Sequence, residues 1–157
     1  MTPRTEPIRV ATSADAGEVA ELLDRFQAEF DEYTPGAAAL APRVRAHVED
    51  GLSVFLVAGP PHVGVAQLRF REYLITGTPV CYLEELYVVP DRRGQGHGRM
   101  LMQAAVALAR RRGATTMELG TAASDTAARS LYESFGFTNL ERADRPETQA
   151  LYYELDL

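Results

Sequence analysis

The chain has 157 residues, 46% of them apolar and 24% charged, a balance that suits one soluble globular domain with a core of its own. Acidic residues outnumber basic ones 22 to 16, for a formal charge of −6, which argues against a nucleic-acid binder because such proteins present a basic face. Cys81 is the single cysteine, which excludes an intrachain disulfide and a cysteine-rich zinc site, and a reducing, cytoplasmic setting is expected.

Residues 1–7 carry Arg4 and Glu6 and no apolar run, so no secretory signal is read there. No stretch of about 18 apolar residues occurs either, so no contact with a membrane is expected. Residues 8–11 read as a short strand. Ser13 is placed to cap a helix whose Val19, Leu22, Leu23, Phe26 and Phe30 recur at helical spacing as one apolar stripe. That helix ends in Asp31-Glu32-Tyr33-Thr34-Pro35-Gly36, because proline disfavours a helical residue before it. A second helix over 38–49 stops at Gly51. Strands over 53–58 and 63–73 are joined by Gly59-Pro60-Pro61-His62, and Gly77-Thr78-Pro79 turns the chain into a strand over 80–89.

A glycine-rich turn over 94–98 then opens a helix with Met100, Leu101, Ala104, Ala105, Leu108 and Ala109 on one face, ended by Gly113. A strand over 115–121 follows. The next helix, over 125–135, sets Ala127, Ala128, Leu131, Tyr132 and Phe135 on one side, and Gly136 terminates it. Two last strands fall near 138–142 and 150–155. Strand, two helices, three strands, helix, strand, helix and two strands make a mixed α+β class, in a single domain over 1–157.

The turn Arg93-Gly94-Gln95-Gly96-His97-Gly98-Arg99 carries the chemistry. Three glycines in five residues cost chain entropy unless the backbone must take left-handed angles or be approached closely. At a helix N-terminus such a turn aims free N–H groups one way and the helix dipole adds positive potential, which makes an anion cradle. Arg93 and Arg99 are placed to add charge at its rim. A nucleoside-triphosphate P-loop is excluded, since no Gly-Lys-Ser/Thr follows. A dinucleotide turn fails on spacing: counted from Gly94 the third glycine position is Arg99, and counted from Gly96 it is Leu101.

The stretch from Arg93 to Gly98 resembles the Arg/Gln-x-x-Gly-x-Gly/Ala signature of the GNAT acetyltransferases. Leu83-Glu84-Glu85-Leu86-Tyr87-Val88-Val89-Pro90 is similar to the strand that precedes it in that family. Asp125-x-x-Ala128-x-x-Leu131-Tyr132-Glu133-x-x-Gly136-Phe137 resembles the second signature, in which asparagine is usual at the Asp125 position. The resemblance implies a GNAT fold: a central, mostly antiparallel mixed sheet, splayed at the acetyl-CoA site and flanked by about four helices. It implies acetyl-CoA as co-substrate, with pantetheine along Leu86, Tyr87 and Val88, the diphosphate on the N–H groups of Arg93, Gly94, Gln95, Gly96, His97 and Gly98, and no metal. Asp125 and Ala128 would flank the pantetheine, although a carboxylate at 125 lacks the donors of an amide.

The chemistry implied is transfer of acetyl to a primary amine. An alkyl ammonium has a pKa near 10, so a base must free the lone pair. The resemblance places that base at Glu84, with adjacent Glu85 as the alternative on the opposite strand face. It makes Tyr132 the acid that protonates the leaving thiolate, and a backbone N–H near Val88 the stabiliser of charge on the carbonyl oxygen. Hydrogen-bonded or packed side chains are the plainer readings of all three. His97 is expected to point outward from its turn, His47 and His62 to lie on the surface, and Cys81 to be a small buried thiol. Phe30, Glu32 and Tyr33, beside Glu29 and Asp31, set acid with aromatic groups and are candidates to bind the acceptor. A small-molecule amine and a peptide N-terminus both stay open as acceptor. The family's habit of pairing late strands allows a homodimer, and an acetyl-CoA-binding sensor without turnover is the competing class.

Overall fold

The computed structural model describes residues 6–139 and 150–157. Seven strands hydrogen-bond in the order β1-β2-β3-β4-β5-β7-β6, and four α-helices accompany them. The helix-and-strand sequence expected above is reproduced element by element. The described residues fall into two compact units, one of 6–69 with 85–105, the other of 70–84 with 106–139 and 150–157.

In the first unit, β1 (Ile8–Val10) pairs antiparallel with β2 (Val54–Ala58), and β2 with β3 (Gly64–Tyr73) from Val54 opposite Leu68 to Ala58 opposite Gly64. Helix α1 (Ala16–Glu29) buries Ala16, Val19, Ala20, Leu22 and Leu23, the stripe its spacing announced. These side chains pack with Phe55, Val57, Val63, Val65 and Tyr87, and Phe26 lies against the same cluster. Each fully buried leucine or valine there contributes about 1.5–3 kcal/mol. The start of α1 is tied down by Asp15, whose carboxylate accepts from the Thr12 N–H at 2.7 Å and from both terminal nitrogens of Arg9 at 2.8 and 2.7 Å. Helix α2 (Ala37–Glu49) starts after Gly36, whose φ of +91° only glycine takes cheaply.

In the second unit, β4 (Thr78–Val88) pairs parallel with β5 (Thr116–Ala122) from Val80 opposite Thr116 to Leu83 opposite Leu119. Strand β7 (Ala150–Asp156) runs antiparallel to β5 along its whole length, and β6 (Thr138–Asn139) pairs with β7. Cys81, Leu83, Met117, Leu119, Phe137 and Tyr153 form its buried interior. Helix α4 (Thr126–Ser134) completes it, while α3 (His97–Arg111) runs through both units.

One boundary differs from expectation. Thr78 and Pro79 lie in β4 rather than in a turn. Gly77, at φ +67°, takes the left-handed residue of the turn, and its N–H donates to the Tyr73 carbonyl at 2.7 Å. Near a strand start the N–H that Pro79 lacks is dispensable, and its carbonyl accepts from Thr115 N–H at 3.0 Å. The expected strand over 138–142 is described only at Thr138 and Asn139; its remainder lies outside the described residues.

Candidate active site

The glycine turn belongs to the first unit. Strand β4 runs through Glu85, Leu86, Tyr87 and Val88 into a 3₁₀ turn (Pro90–Arg92), and the chain enters α3 at His97. Gly94 and Gly96 sit at φ +72° and +91°, the left-handed angles that the glycine density implied. The first one-turn hydrogen bond of α3 runs from Met100 N–H to the Gly96 carbonyl at 3.0 Å. By helix geometry the N–H groups of His97 and Gly98 therefore have no carbonyl a turn earlier, and the positive end of the dipole lies with them. Gly64 lets the strand carrying it come close: a Cβ there would stand 3.0 Å from Leu101 Cδ1 and 3.1 Å from the Tyr87 carbonyl oxygen.

Two side chains in this turn depart from expectation. His97 does not point outward; it is 1% exposed. Its Nε2 accepts from the Glu6 main-chain N–H at 3.0 Å, and its Nδ1 lies 3.2 Å from the Arg92 carbonyl. A helix's first residue can fold back onto the chain that passes beneath it, and here that chain is the segment leading into β1. Arg93 is not turned to the rim of the cradle. Its Nε donates to the Val88 carbonyl at 2.9 Å and its Nη2 to Glu29 at 2.8 Å. The Glu29 carboxylate also accepts from the Tyr87 hydroxyl at 3.1 Å, and Tyr87 stacks on Phe26 with centroids 5.1 Å apart. Burial, then the Glu29 hydrogen bond and charge, push the Tyr87 phenol pKa up. Glu29, grouped in the sequence with acceptor-binding candidates, thus braces the turn. Its signal was its place three residues after Phe26, on the same helical face.

The other expected groups of this unit are placed as follows. Arg99 is exposed. Arg92 bridges Gln95 Oε1 and Glu6 Oε1, each at 3.2 Å. Phe30 is half exposed and meets Phe26 edge-on at 5.4 Å, Tyr33 is 84% exposed, and Glu32 is exposed. His47 hydrogen-bonds Ser53 Oγ at 2.8 Å. His62 is a second correction: its side chain is only 5% exposed and lies against Asp15 and Glu18. The turn that carries it folds back on the start of α1.

The second unit holds Glu84, Asp125, Ala128 and Tyr132. Glu84 is exposed on β4, and its neighbour Glu85, the first residue of the stretch returning to the first unit, is half-buried. Asp125 caps α4, accepting from Ala128 N–H at 3.0 Å. Tyr132 is 6% exposed, its ring centroid 6.1 Å from that of Phe137 and 6.3 Å from that of Tyr153. Arg129 and Glu133, one turn apart on α4, both grip the Tyr153 hydroxyl: Arg129 Nε donates to it at 3.2 Å and it donates to Glu133 Oε1 at 2.8 Å. This clamp was missed in the sequence, although an Arg/Glu pair at i, i+4 is its visible trace. Burial raises the Cys81 thiol to about 12, which makes it inert packing. No cluster of metal-ligating side chains, and no helix long and apolar enough to cross a membrane, occurs among the described residues.

Comparison with known proteins shows the family. The acetyltransferase (GNAT) family matches residues 19–137. The uncharacterised N-acetyltransferase YhfO of Bacillus subtilis (strain 168) is 31% identical over 132 residues, covering 83% of this chain and 88% of that one. An aminoglycoside N(6′)-acetyltransferase type 1 of Stenotrophomonas maltophilia is 30% identical over 145 residues, covering 90% and 92%. Among solved structures, a candidate acetyltransferase of Arthrobacter sp. FB24 is 43% identical over 88% of each chain, with a TM-score of 0.78. With the turn, the second signature and these relatives in agreement, the chain belongs to the GNAT family of acetyltransferases and is an N-acetyltransferase.

Proposed function

We propose that this enzyme moves an acetyl group directly from acetyl-CoA to a primary amine of a small molecule, working as a single domain over 1–157. The observation that carries the reading is the left-handed pair Gly94 and Gly96 leading into the N-terminus of α3. That arrangement fits a diphosphate on the N–H groups from Arg93 to Gly98, because it offers several donors and a dipole without a side chain in the way. Bound there, acetyl-CoA supplies an activated thioester carbonyl. Leu86, Tyr87 and Val88 offer strand backbone to its pantetheine, and the brace from Glu29 through Arg93 to the Val88 carbonyl holds that strand end in place.

Glu84 takes the proton of the acceptor ammonium, with Glu85, on the opposite strand face, as the alternative base. A main-chain N–H near Val88 stabilises the negative charge that gathers on the carbonyl oxygen as the amine adds. As the C–S bond breaks, Tyr132 gives its phenolic proton to the departing sulfur, and the second proton shed by the amine nitrogen restores the phenol. Asp125 holds the start of α4, with Ala128 beside the pantetheine. Phe30, Glu32 and Tyr33 contribute to the acceptor site. The Stenotrophomonas maltophilia relative is an aminoglycoside N(6′)-acetyltransferase, which supports a small polyamine-like acceptor over a peptide N-terminus. The single, buried Cys81 suits a cytoplasmic enzyme.

Thermal shift with acetyl-CoA, CoA and NAD, followed by free-thiol release over an amine panel, tests this. A ligand at about 100 times its Kd adds roughly 2.7 kcal/mol, so binding will show as a clear rise in Tm. A rise with both CoA species and thiol release that needs amine is the expected result. No rise with either CoA species sinks the reading.

A further inference from the structure

The face of the second unit that carries Glu84 holds more than a carboxylate. Tyr82 stands two residues before Glu84 on β4 and so shares its face. The register sets Tyr82 opposite Glu118 on β5, and Glu118 opposite Glu154 on β7. Two residues along β5, Gly120 stands opposite Tyr152. A Cβ on Gly120 would lie 3.3 Å from Tyr152 Cε1 and 3.4 Å from the Tyr82 hydroxyl, so both tyrosines lean over that glycine. Beside them Arg71 Nη2 donates to Glu118 Oε2 at 2.8 Å, and the Tyr73 hydroxyl donates to Glu118 Oε1. The Arg71 guanidinium lies 5.4 Å from the Tyr73 ring centroid and 5.7 Å from that of Tyr82.

We infer that Tyr82 and Tyr152 are specificity-determining residues for the acceptor, selecting an ammonium borne on a ring or planar body. The body lies on the two tyrosines and the ammonium reaches Glu84. This rests on the proposed acetyl transfer with Glu84 as base. Charge gives the sign of the ligand: Glu84, Glu118 and Glu154 stand on this face of β4, β5 and β7, with Arg71 as the guanidinium that answers Glu118. Arg71 and Tyr73 both donate to Glu118, and Glu84 is exposed two residues from Tyr82. Aromatic surface gives the shape of the ligand. Covering Gly120 takes one ring, as glycines in strands commonly require, yet the Tyr82 hydroxyl meets the Tyr152 ring edge there and Tyr152 remains 49% exposed. Burial first, and the Glu84 charge second, raise the Tyr82 phenol pKa, so its hydroxyl stays a donor for a ring hydroxyl or amine. Gly120 leaves room for both groups, since a Cβ there would press on the Tyr152 ring edge and touch the Tyr82 hydroxyl.

The test compares ring-bearing with linear amines: phenethylamine against butylamine, and sisomicin against spermine, by thiol release with saturating acetyl-CoA. Wild-type protein is expected to prefer the ring-bearing member of at least one pair in kcat/KM. Tyr152→Leu and Tyr82→Leu should cut that preference by about tenfold, the size of one stacking or cation–π contact, through KM rather than kcat. Tyr152→Phe, which keeps the ring, should restore it. Each variant must still show the wild-type Tm rise with acetyl-CoA, which separates a lost acceptor surface from a misfolded protein. Equal use of ring-bearing and linear amines, equal losses on both, or acetyl-CoA binding with no member of the panel acetylated overturns the inference while leaving acetyl transfer standing. Absence of an acetyl-CoA shift in wild-type protein overturns both.

Discussion

The main-chain N–H of Glu6 donates to Nε2 of His97 at 3.0 Å, which fixes the imidazole as the tautomer protonated on Nδ1, facing the Arg92 carbonyl at 3.2 Å. The segment leading into β1 is therefore fastened to the first residue of α3, where the proposed cradle begins. Glu6→Pro removes the main-chain donor together with the carboxylate that pairs with Arg92, and Glu6→Gln keeps the donor while weakening that ion pair, so the difference between the two variants reads the N–H. Glu6→Pro should raise the Kd for acetyl-CoA several-fold by calorimetry, and Glu6→Gln should change it less. His97→Leu leaves the Glu6 N–H and Arg92 carbonyl unpaired, which costs about 1–3 kcal/mol of stability in a denaturant titration. Equal affinities in wild type and Glu6→Pro would show that the fastening is structural only.

Arg93 separates backbone from side-chain roles in the first signature. Its guanidinium donates to Val88 and Glu29 and its N–H to the Pro90 carbonyl at 3.3 Å, so its part in the proposed diphosphate site is that of a brace. Arg93→Lys keeps the charge but cannot bridge a carbonyl and a carboxylate with a planar fork. A simple rim charge would survive that change; a brace would not. Arg93→Lys and Glu29→Gln should therefore raise the KM for acetyl-CoA alike, and the double variant should do little worse than either, since both break one contact. Additive losses would return Arg93 to the rim.

Asp125 stands where the second signature usually has asparagine, and the structure shows why either residue serves α4. An N-cap needs an acceptor oxygen, which both supply. Asp125→Asn should leave the Tm nearly unchanged, whereas Asp125→Ala should cost about 1 kcal/mol. Asparagine also brings an amide donor, so Asp125→Asn should bind acetyl-CoA at least as tightly as wild type. Weaker binding by Asp125→Asn would remove residue 125 from the pantetheine site.

Tyr132 is held within a clamped helix. Arg129 and Glu133 flank it in sequence and both engage the Tyr153 hydroxyl, so the position of its ring is set by packing with Phe137 and Tyr153. Tyr132→Phe keeps that packing and removes the phenolic proton. A general acid is worth about 10²–10⁴ in rate, so kcat should fall at least ~100-fold with the acetyl-CoA Tm shift retained. A kcat within a factor of about two of wild type would move the acid elsewhere.

The sequence made the elements legible because the signals were local. The α1 stripe, the glycine turn and the terminating Gly113 and Gly136 each act within a few residues of themselves. Even the thioester-binding expectation rested on two contiguous motifs. What stayed hidden joins residues far apart in the chain. Glu29 to Arg93 spans 64 positions, Glu6 to His97 spans 91, and Arg71 to Glu118 spans 47. No periodicity reports such pairs, because each partner alone reads as an ordinary surface charge or turn residue. His97 misled for the same reason: a turn histidine points outward unless a distant strand lead-in needs an acceptor.

Asp15 gives the fold an acid-sensitive anchor. The Arg9 hydrogen bond first, aided by the Thr12 N–H and opposed by burial, holds its carboxyl well below the usual carboxylate range. A folded-state pKa below the unfolded value means that the native state binds fewer protons, so the contribution is whole above the unfolded pKa of about 4. It then declines as the pH falls from there toward the folded pKa. Urea denaturation of wild type and Asp15→Asn between pH 6 and pH 2.5 reads this directly. The stability gap should be constant down to about pH 5 and shrink below about pH 4. Salt of about 0.5 M should narrow it only modestly, because the pair is two hydrogen bonds at 2.7 and 2.8 Å rather than distant charges. A gap that persists unchanged to pH 2.5 would mean that Asp15 stabilises α1 by shape alone, with no help from its charge.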